Sequence, residues 1–167
     1  MIPVRGASYR YENHVRRILG SLPSWYVIPA RISRISVSSD PEVARQVAAY
    51  AHGTRDIQIA PGVGTLLERS LTHEIAHGLD DGAPNESAHR FSRSPGWMAV
   101  HRQAQGFEIP KYRDEPQEYF ADMMSKFVLY LAGSQTGNSL QRSHPREHEY
   151  IVREVVPALM RESTGKA

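Results

Sequence analysis

The sequence of 167 residues predicts an α+β fold that is mostly helical, with a small β-sheet in its N-terminal half and one helix that carries the chemistry. Segments with β-branched residues or strict alternation lie between residues 32 and 60, whereas apolar residues at helical spacing recur along most of the remaining chain. The composition, with 40% apolar and 23% charged residues, is ordinary for a globular protein. This length predicts one domain spanning residues 1–167, long enough to bury a core.

The first four elements are predicted from residue spacing and from bounding proline, glycine or polar residues: a helix at 9–22, a strand at 32–37, a helix at 40–53 and a strand at 56–60. The second helix is predicted because Pro41 suits a first helical turn and because Val43, Val47 and Tyr50 recur at helical spacing. The second strand follows from the alternation of apolar and polar residues. A small sheet should therefore precede the next helix in the chain.

That next helix is predicted around residues 65–79, where an apolar residue recurs every four positions. It contains the string His73-Glu74-Ile75-Ala76-His77. His73 and His77 lie one turn apart on a face that differs from the apolar stripe, so both imidazoles can point at one metal ion. Glu74 can reach a metal-bound water as a general base. Because chance also produces such a string, the surrounding sequence decides its meaning.

A catalytic zinc ion needs a third protein ligand and an open position for water. The best candidate is Glu118, in a helix predicted at 115–132 with Pro116 in its first turn. Asp122 lies four residues later on the same face, so one carboxylate can bind the metal while the other accepts the second N–H of a ligand histidine. The alternative is a solvated acidic face, and the two aromatic residues that follow Glu118 argue against it.

The segment His73–Asp81, followed by Glu118–Asp122, resembles the zinc peptidase family of anthrax lethal factor and the clostridial Pro-Pro endopeptidases. The resemblance covers about the central third of the chain. It implies a zincin-like metallopeptidase domain of the gluzincin type, with one Zn²⁺ held by His73, His77 and Glu118 and with Glu74 as the general base of peptide hydrolysis.

The resemblance also implies roles for the carboxylates around the ligands and for an oxyanion donor. Asp122 matches the acid that accepts a proton from a ligand imidazole, and Asp80 matches an acid that either does the same or ends the helix. The family carries a tyrosine seven residues before its glutamate ligand, but here that position is Lys111. A gap of one residue would give the oxyanion role to Tyr112, and the alternative is that Tyr112 is a packed aromatic next to Pro110.

A second string, His144-Pro145-Arg146-Glu147-His148, fits the inverted H-x-x-E-H pattern of some zinc peptidases. Its flank is polar and Pro145 places it at the start of a helix. We therefore interpret His144 as a capping residue and His148 as part of a solvated face, although the sequence leaves metal binding there open. The remaining elements are a loop at 81–94, a helix at 95–105, a loop at 133–139 and a helix at 145–160 that Pro157 bends or ends.

Composition excludes several classes of protein. The absence of cysteine excludes disulfides, thiolate zinc sites and a thiol nucleophile. The net charge is +2 and the basic residues are scattered, so no nucleic-acid surface is expected. No apolar stretch approaches 18 residues, and the first residues lack the apolar core of a signal peptide. We expect no membrane partner, and either a cytoplasmic protein or a domain that is delivered or excised from a secreted one.

The sequence thus predicts a zinc metalloendopeptidase acting on a peptide or protein substrate. In peptidases of this shape the strand before the active-site helix often borders the cleft, so the strand at 56–60 is expected to pair with an extended substrate. Two alternatives stay open: a zincin-shaped binding module without activity, and a zinc hydrolase that acts on a non-peptide amide or ester. The sequence specifies neither the substrate nor the oligomeric state, for which a monomer is the default expectation.

Overall fold

The structure is a computed structural model that describes residues 2–6, 8–62, 64–81, 90–104, 107, 109–134 and 139–165. Its strands are β1 (Val4–Arg5), β2 (Arg34–Val37), β3 (Ala48–Ala51) and β4 (Asp56–Ile59). Its α-helices are α1 (Tyr9–Ser21), α2 (Ser24–Val27), α3 (Pro41–Gln46), α4 (Leu67–Asp80), α5 (Pro95–Gln103), α6 (Pro116–Leu131), α7 (Leu140–Ser143), α8 (Pro145–Tyr150) and α9 (Val156–Ser163). Two 3-10 turns, Gly64–Leu66 and Pro110–Arg113, precede α4 and α6. The prediction of a mostly helical α+β fold with an N-terminal sheet is confirmed.

The four-stranded sheet has the order β1-β2-β4-β3, in which β3 alone runs antiparallel to its neighbour. Ile35, Ile57 and Ile59 are fully buried and join the apolar face of α4 in one core. Within the described residues, β4 lies between two strands, whereas β3 is terminal and keeps a free edge next to α4. The sheet edge that borders α4 therefore belongs to β3.

The predicted helix at 40–53 is wrong in its second half. α3 ends at Gln46, Val47 adopts a φ of 72°, and the chain returns as β3. Ala48 pairs with Ile59 in the antiparallel register, so backbone pairing with β4 outweighs the local helical spacing. A β-branched residue at positive φ is rare and strained, and the elements on both sides must hold it there.

The C-terminal helical segment does not end at Pro157, because α9 continues to Ser163. One wide turn with π-helical hydrogen bonds, Ile151–Val155, joins α8 to α9. Proline lacks an N–H and its ring clashes with the carbonyl four residues earlier in an α-helix. A wider turn before Pro157 relieves that conflict, so the proline changes the helix type without ending it.

The other predicted helices correspond to α1, α4, α5 and α6. The predicted loops at 81–94 and 133–139 include residues 82–89 and 135–138, which lie outside the described residues, as does residue 105 of the predicted helix at 95–105. In the part of the chain that is described, no helix is both long and apolar enough to cross a bilayer.

Helices α4 and α6 pack against each other and bring the two sequence motifs together. Leu71, Ile75 and Met124 are fully buried between the helices and the rest of the core. The hydroxyls of Thr72 and Ser125 lie 2.6 Å apart and are also buried, so the polar contact between the helices is satisfied. This packing fixes the position of α6 relative to the histidines of α4.

Gly78 is expected to be necessary for the close packing of α4. A Cβ at this position would lie 2.7 Å from Ile32 Cδ1 and 3.0 Å from the Ala30 carbonyl oxygen. We expect Gly78→Ala to lower the free energy of unfolding by about 1–3 kcal/mol in denaturant titrations, despite the better helix propensity of alanine. Gly20→Ala in α1 is the control, because nothing lies within 4 Å of its added Cβ. An unchanged or raised stability of Gly78→Ala would contradict the close packing.

Candidate metal centre

Three side chains from two helices converge in a groove that β3, α4 and the start of α6 line. His73 and His77 lie on α4, and Glu118 lies in the first turn of α6. The two Nε2 atoms are 3.2 Å apart, Glu118 Oε2 is 3.4 Å from His73 Nε2, and Glu118 Oε1 is 3.2 Å from His77 Nε2. Among the described residues, these form the one group of three His, Asp or Glu side chains with the spacing of metal ligands. The structure thus brings together the three predicted ligands.

The donor set is suitable for a catalytic zinc ion. Two imidazole nitrogens and one carboxylate form a common zinc site that leaves the fourth position for water. Tetrahedral ligands bound at about 2.0–2.1 Å lie roughly 3.3 Å from one another. The separations of 3.2–3.4 Å between the three side chains agree with that value. Donor type and spacing therefore both fit a zinc ion.

The charge state of Glu118 also suits a metal ligand. Burial alone would raise the pKa of this carboxyl, but hydrogen bonds from His73 and His77, together with their charge, hold the pKa well below its ordinary value. Metal binding requires a deprotonated carboxylate. Glu118 is accordingly ionised throughout the physiological pH range.

Glu74 lines the same groove and is only 8% exposed. Burial raises the pKa of Glu74 to about 7, and the charge of Glu118 adds to this rise. The charges of His77 and Lys111 and a hydrogen bond from the backbone of Tyr50 in β3 oppose it. A carboxyl group with a pKa near neutrality is suited to accept a proton and return it.

The 3-10 turn before α6 places Tyr112, the predicted oxyanion donor, and its neighbour Lys111 in the lining of the groove. Lys111 Nζ lies 3.0 Å from Glu118 Oε2. Tyr112 is 4% exposed, its backbone carbonyl accepts a hydrogen bond of 2.7 Å from His101 Nε2, and its ring centroid lies 6.2 Å from that of Tyr119. Tyr112 is therefore a packed aromatic of this lining, and its oxyanion role stays a prediction.

Asp122 has different partners from those that the resemblance implies. Its carboxylate is 1% exposed and contacts Arg69 Nη2 and Lys126 Nζ, each at 3.0 Å. Arg69 belongs to α4, so the ion pair links the two helices one turn beyond Glu118. In the described residues, the contacts of Asp122 thus join the helices that carry the ligands and do not include a ligand imidazole.

Asp80 acts at the end of α4, which is one of the two roles expected for it. Its Oδ1 accepts hydrogen bonds from the backbone N–H groups of Phe91 (2.7 Å) and Ser92 (2.8 Å). Its Oδ2 accepts a bond of 2.5 Å from the Ser92 hydroxyl. Asp80 is 1% exposed, so these hydrogen bonds tie the chain at 90–92 to the end of α4 from a buried position.

The side chains of the inverted string at 144–148 make packing and hydrogen-bond contacts away from the groove. Glu147 is buried and accepts a hydrogen bond of 2.7 Å from the Tyr119 hydroxyl. The ring of His148 is half-buried against Phe127, with centroids 5.7 Å apart, rather than on a solvated face. Within the described part of the chain, this string has no metal-ligand spacing. The interpretation that this string is not a zinc site stays a prediction.

His73, His77 and Glu118 line a groove of about 690 Å³. Its lining comprises β3 with the residues on either side of it, the face of α4 from Arg69 to His77, the turn before α6 and the first turns of α6. His52, which follows β3, also lines the groove, and its ring centroid lies 6.4 Å from that of His77. Both polar and apolar side chains line the groove.

The sequence reasoning missed Arg69 and Tyr50 as parts of the site. The sequence does contain a signal that pairs Arg69 with Asp122. Arg69 lies one helical turn before His73, and Asp122 lies one turn after Glu118. Two antiparallel helices would bring such residues together. No local pattern indicates Tyr50, whose backbone reaches the predicted base only because β3 is a strand at the sheet edge.

Comparison of this chain with models of protein families, with curated proteins and with solved structures finds no match. The likeness to lethal factor and the Pro-Pro endopeptidases therefore stands on the two sequence motifs. In the structure the two motifs meet at His73, His77 and Glu118.

Proposed function

We propose that this protein is a zinc-dependent endopeptidase with a zincin-like fold. The observation that carries the proposal is the meeting of His73, His77 and Glu118 beside the buried carboxyl of Glu74, in an open groove with a free strand edge. A merely structural cluster has no need of a base beside it or of an adjoining groove. Hydrolysis of a peptide bond uses all of these parts.

In this proposal each side chain has a defined role. Zinc, when bound, lowers the pKa of a ligated water and polarises the scissile carbonyl. Glu74 accepts a proton from the water and donates it to the leaving nitrogen. The hydrogen bond from the Tyr50 backbone keeps the Glu74 carboxylate oriented towards the groove. The carbonyl oxygen also needs a donor as negative charge develops on it.

The free edge of β3 supports a peptide substrate. The carbonyls of Val47 and Ala51 accept hydrogen bonds from the β4 side. Because peptide groups alternate in direction along a strand, the N–H of Ala48 and the carbonyls of Ala48 and Tyr50 face the other edge. The Tyr50 N–H on that side already donates to Glu74. An extended peptide can add to this edge as a further strand. β3 replaces the strand at 56–60 in this role, because that strand has a neighbour on each side.

A metal analysis combined with a random peptide library tests the proposal. We expect one zinc ion per chain and cleavage at internal peptide bonds that stops when zinc is chelated. Zinc binding without cleavage of any peptide would contradict the peptidase proposal. Amide or ester model substrates would then separate a non-peptide hydrolase from a binding module.

Glu118→Ala is expected to lower zinc affinity by more than about 10-fold, because loss of a ligand costs at least as much as loss of its hydrogen-bonding support. Zinc titration against a chelating indicator measures the change. Asp114→Ala is the control, since Asp114 is an exposed acid near the same helix but outside the ligand group. Unchanged zinc affinity in Glu118→Ala would place the third ligand elsewhere.

A further inference from the structure

Peptide hydrolysis, the proposed function on which this inference rests, places negative charge on the substrate carbonyl oxygen. Glu74 and Glu118 bring two carboxylates to the site. Both repel the charge that develops on the substrate oxygen, so a donor on the opposite side would lower the barrier. The described residues that line the groove include three cationic side chains that could supply it: Arg45, Arg69 and Lys111.

Two of these cations are directed at other acids. Arg45 is largely exposed and forms an ion pair with Glu42 on its own helix. Arg69 contacts the buried carboxylate of Asp122, one helical turn or about 5 Å from the ligand end of α6. Both charges are therefore engaged away from the atoms that would react.

Lys111 is placed differently. Its Nζ lies 3.0 Å from Glu118 Oε2, and this oxygen lies 3.4 Å from His73 Nε2, so the ammonium group adjoins the ligand atoms themselves. The side chain is 52% exposed, which leaves it free to turn about its flexible stem. Its charge is also felt at Glu74. Lys111 is thus the cation whose charge reaches both the ligands and the base.

We propose that Lys111 is a catalytic residue whose ammonium group turns from Glu118 to the substrate carbonyl oxygen and stabilises the oxyanion. When the water oxygen bonds to the carbonyl carbon, the π electron pair moves onto the carbonyl oxygen and Glu74 holds the released proton. The oxyanion accepts a hydrogen bond from Lys111, which keeps its own proton. When the C–N bond breaks, the electron pair returns to the carbonyl and the leaving nitrogen takes the proton from Glu74.

The test compares Lys111→Met, which keeps the length of the stem without the charge, with Lys111→Arg, which keeps the charge. Arg113→Met is the control, because it removes an exposed cation from the same 3-10 turn. Each zinc-loaded protein is assayed for kcat and KM on a peptide selected from the library. Zinc content is measured in parallel. Calorimetry measures binding of an N-phosphoryl dipeptide, whose tetrahedral anion imitates the charged intermediate.

We expect Lys111→Met to lower kcat by about 100-fold or more with KM within about threefold, and to weaken binding of the phosphoryl dipeptide by a similar factor. Lys111→Arg should keep kcat within about tenfold of the wild type, and Arg113→Met should match the wild type. Zinc content should be the same in all four proteins. A kcat in Lys111→Met within about threefold of the wild type would overturn the proposal.

Two further outcomes separate a catalytic Lys111 from a positioning residue and from a site without peptidase activity. Loss of zinc from Lys111→Met would make Lys111 a positioning residue for Glu118 and would also overturn the catalytic role. If the wild type binds zinc but cleaves no peptide, the peptidase proposal fails separately. Equal binding of the phosphoryl dipeptide by the wild type and Lys111→Met would then still overturn the role of Lys111, and weaker binding by the variant would support it.

Discussion

Replacing Glu74 with glutamine is expected to lower kcat for peptide hydrolysis by about 10²- to 10⁴-fold while zinc remains bound. Glutamine has nearly the same shape but cannot accept a proton from water, and the three ligands are unchanged. The measurements are kcat on a library-selected peptide and the zinc content of the purified variant. Glu68→Gln is the control on the same helix, because Glu68 does not line the groove. Wild-type turnover in Glu74→Gln would show that Glu74 is not the base.

The same substitution should stabilise the metal-free protein at neutral and higher pH. The pKa of Glu74 is raised from 4.5 to about 7, mainly by burial, so the folded state favours the neutral carboxyl. The stability that this preference provides is complete below about pH 4.5 and is lost as the pH rises to about 7. The total loss is on the order of 3 kcal/mol. Glutamine carries no charge at any pH and avoids this loss.

Denaturant unfolding of the metal-free wild type and Glu74→Gln at pH 4 and pH 8 measures the difference. The two proteins should have similar free energies of unfolding at pH 4, and the variant should be more stable at pH 8. If the free energies of unfolding of the two proteins change equally between pH 4 and pH 8, the Glu74 carboxyl is better solvated than its 8% exposure indicates. The expected result would show that the ionised Glu74 carboxylate lowers the stability of the metal-free protein, as residues placed for function often do.

Much of the candidate ligand group could be predicted from the sequence because it depends on local rules. His73 and His77 share a face in any α-helix, and Glu118 follows a proline that suits a first helical turn. The apolar stripe of α4 is buried as predicted, and the surrounding structure also buries other positions of the helix, such as Thr72 and Ala76. The meeting of α4 with α6 needed the resemblance as well, since no spacing rule specifies which distant helices pack together.

The free edge beside the site could not be predicted in this way. Val47 and Tyr50 fit a helical spacing, but α3 stops at Gln46 because β3 gains backbone partners in β4. That pairing depends on tertiary structure, which local propensity does not contain. The sequence prediction therefore assigned the edge next to the helix to β4, whereas the terminal strand there is β3. The partners of Asp122 were missed for the same reason, since Arg69 is remote in sequence.

Replacing Asp122 with alanine is expected to lower the free energy of unfolding by about 3–5 kcal/mol, the cost of breaking a buried ion pair. The carboxylate is 1% exposed, and the Lys126 ammonium that lies 3.0 Å from it is on a side chain 6% exposed. Without Asp122, the charge of Lys126 would lose this counter-charge in a poorly solvated position. Denaturant titration at pH 7 measures the loss. Arg69→Met, which removes a half-exposed partner, should cost about 1 kcal/mol or less.

The double variant Asp122→Ala/Lys126→Met should recover more than half of the lost stability, because it leaves neither charge of this pair buried. It also separates the two roles for Asp122. If Asp122 accepts a proton from a ligand imidazole, zinc affinity should fall about 10- to 100-fold in the single and the double variant alike. If Asp122 serves to join α4 to α6, as its contacts with Arg69 and Lys126 indicate, zinc affinity should return together with stability. A double variant that is stable but still binds zinc weakly would contradict the structural role.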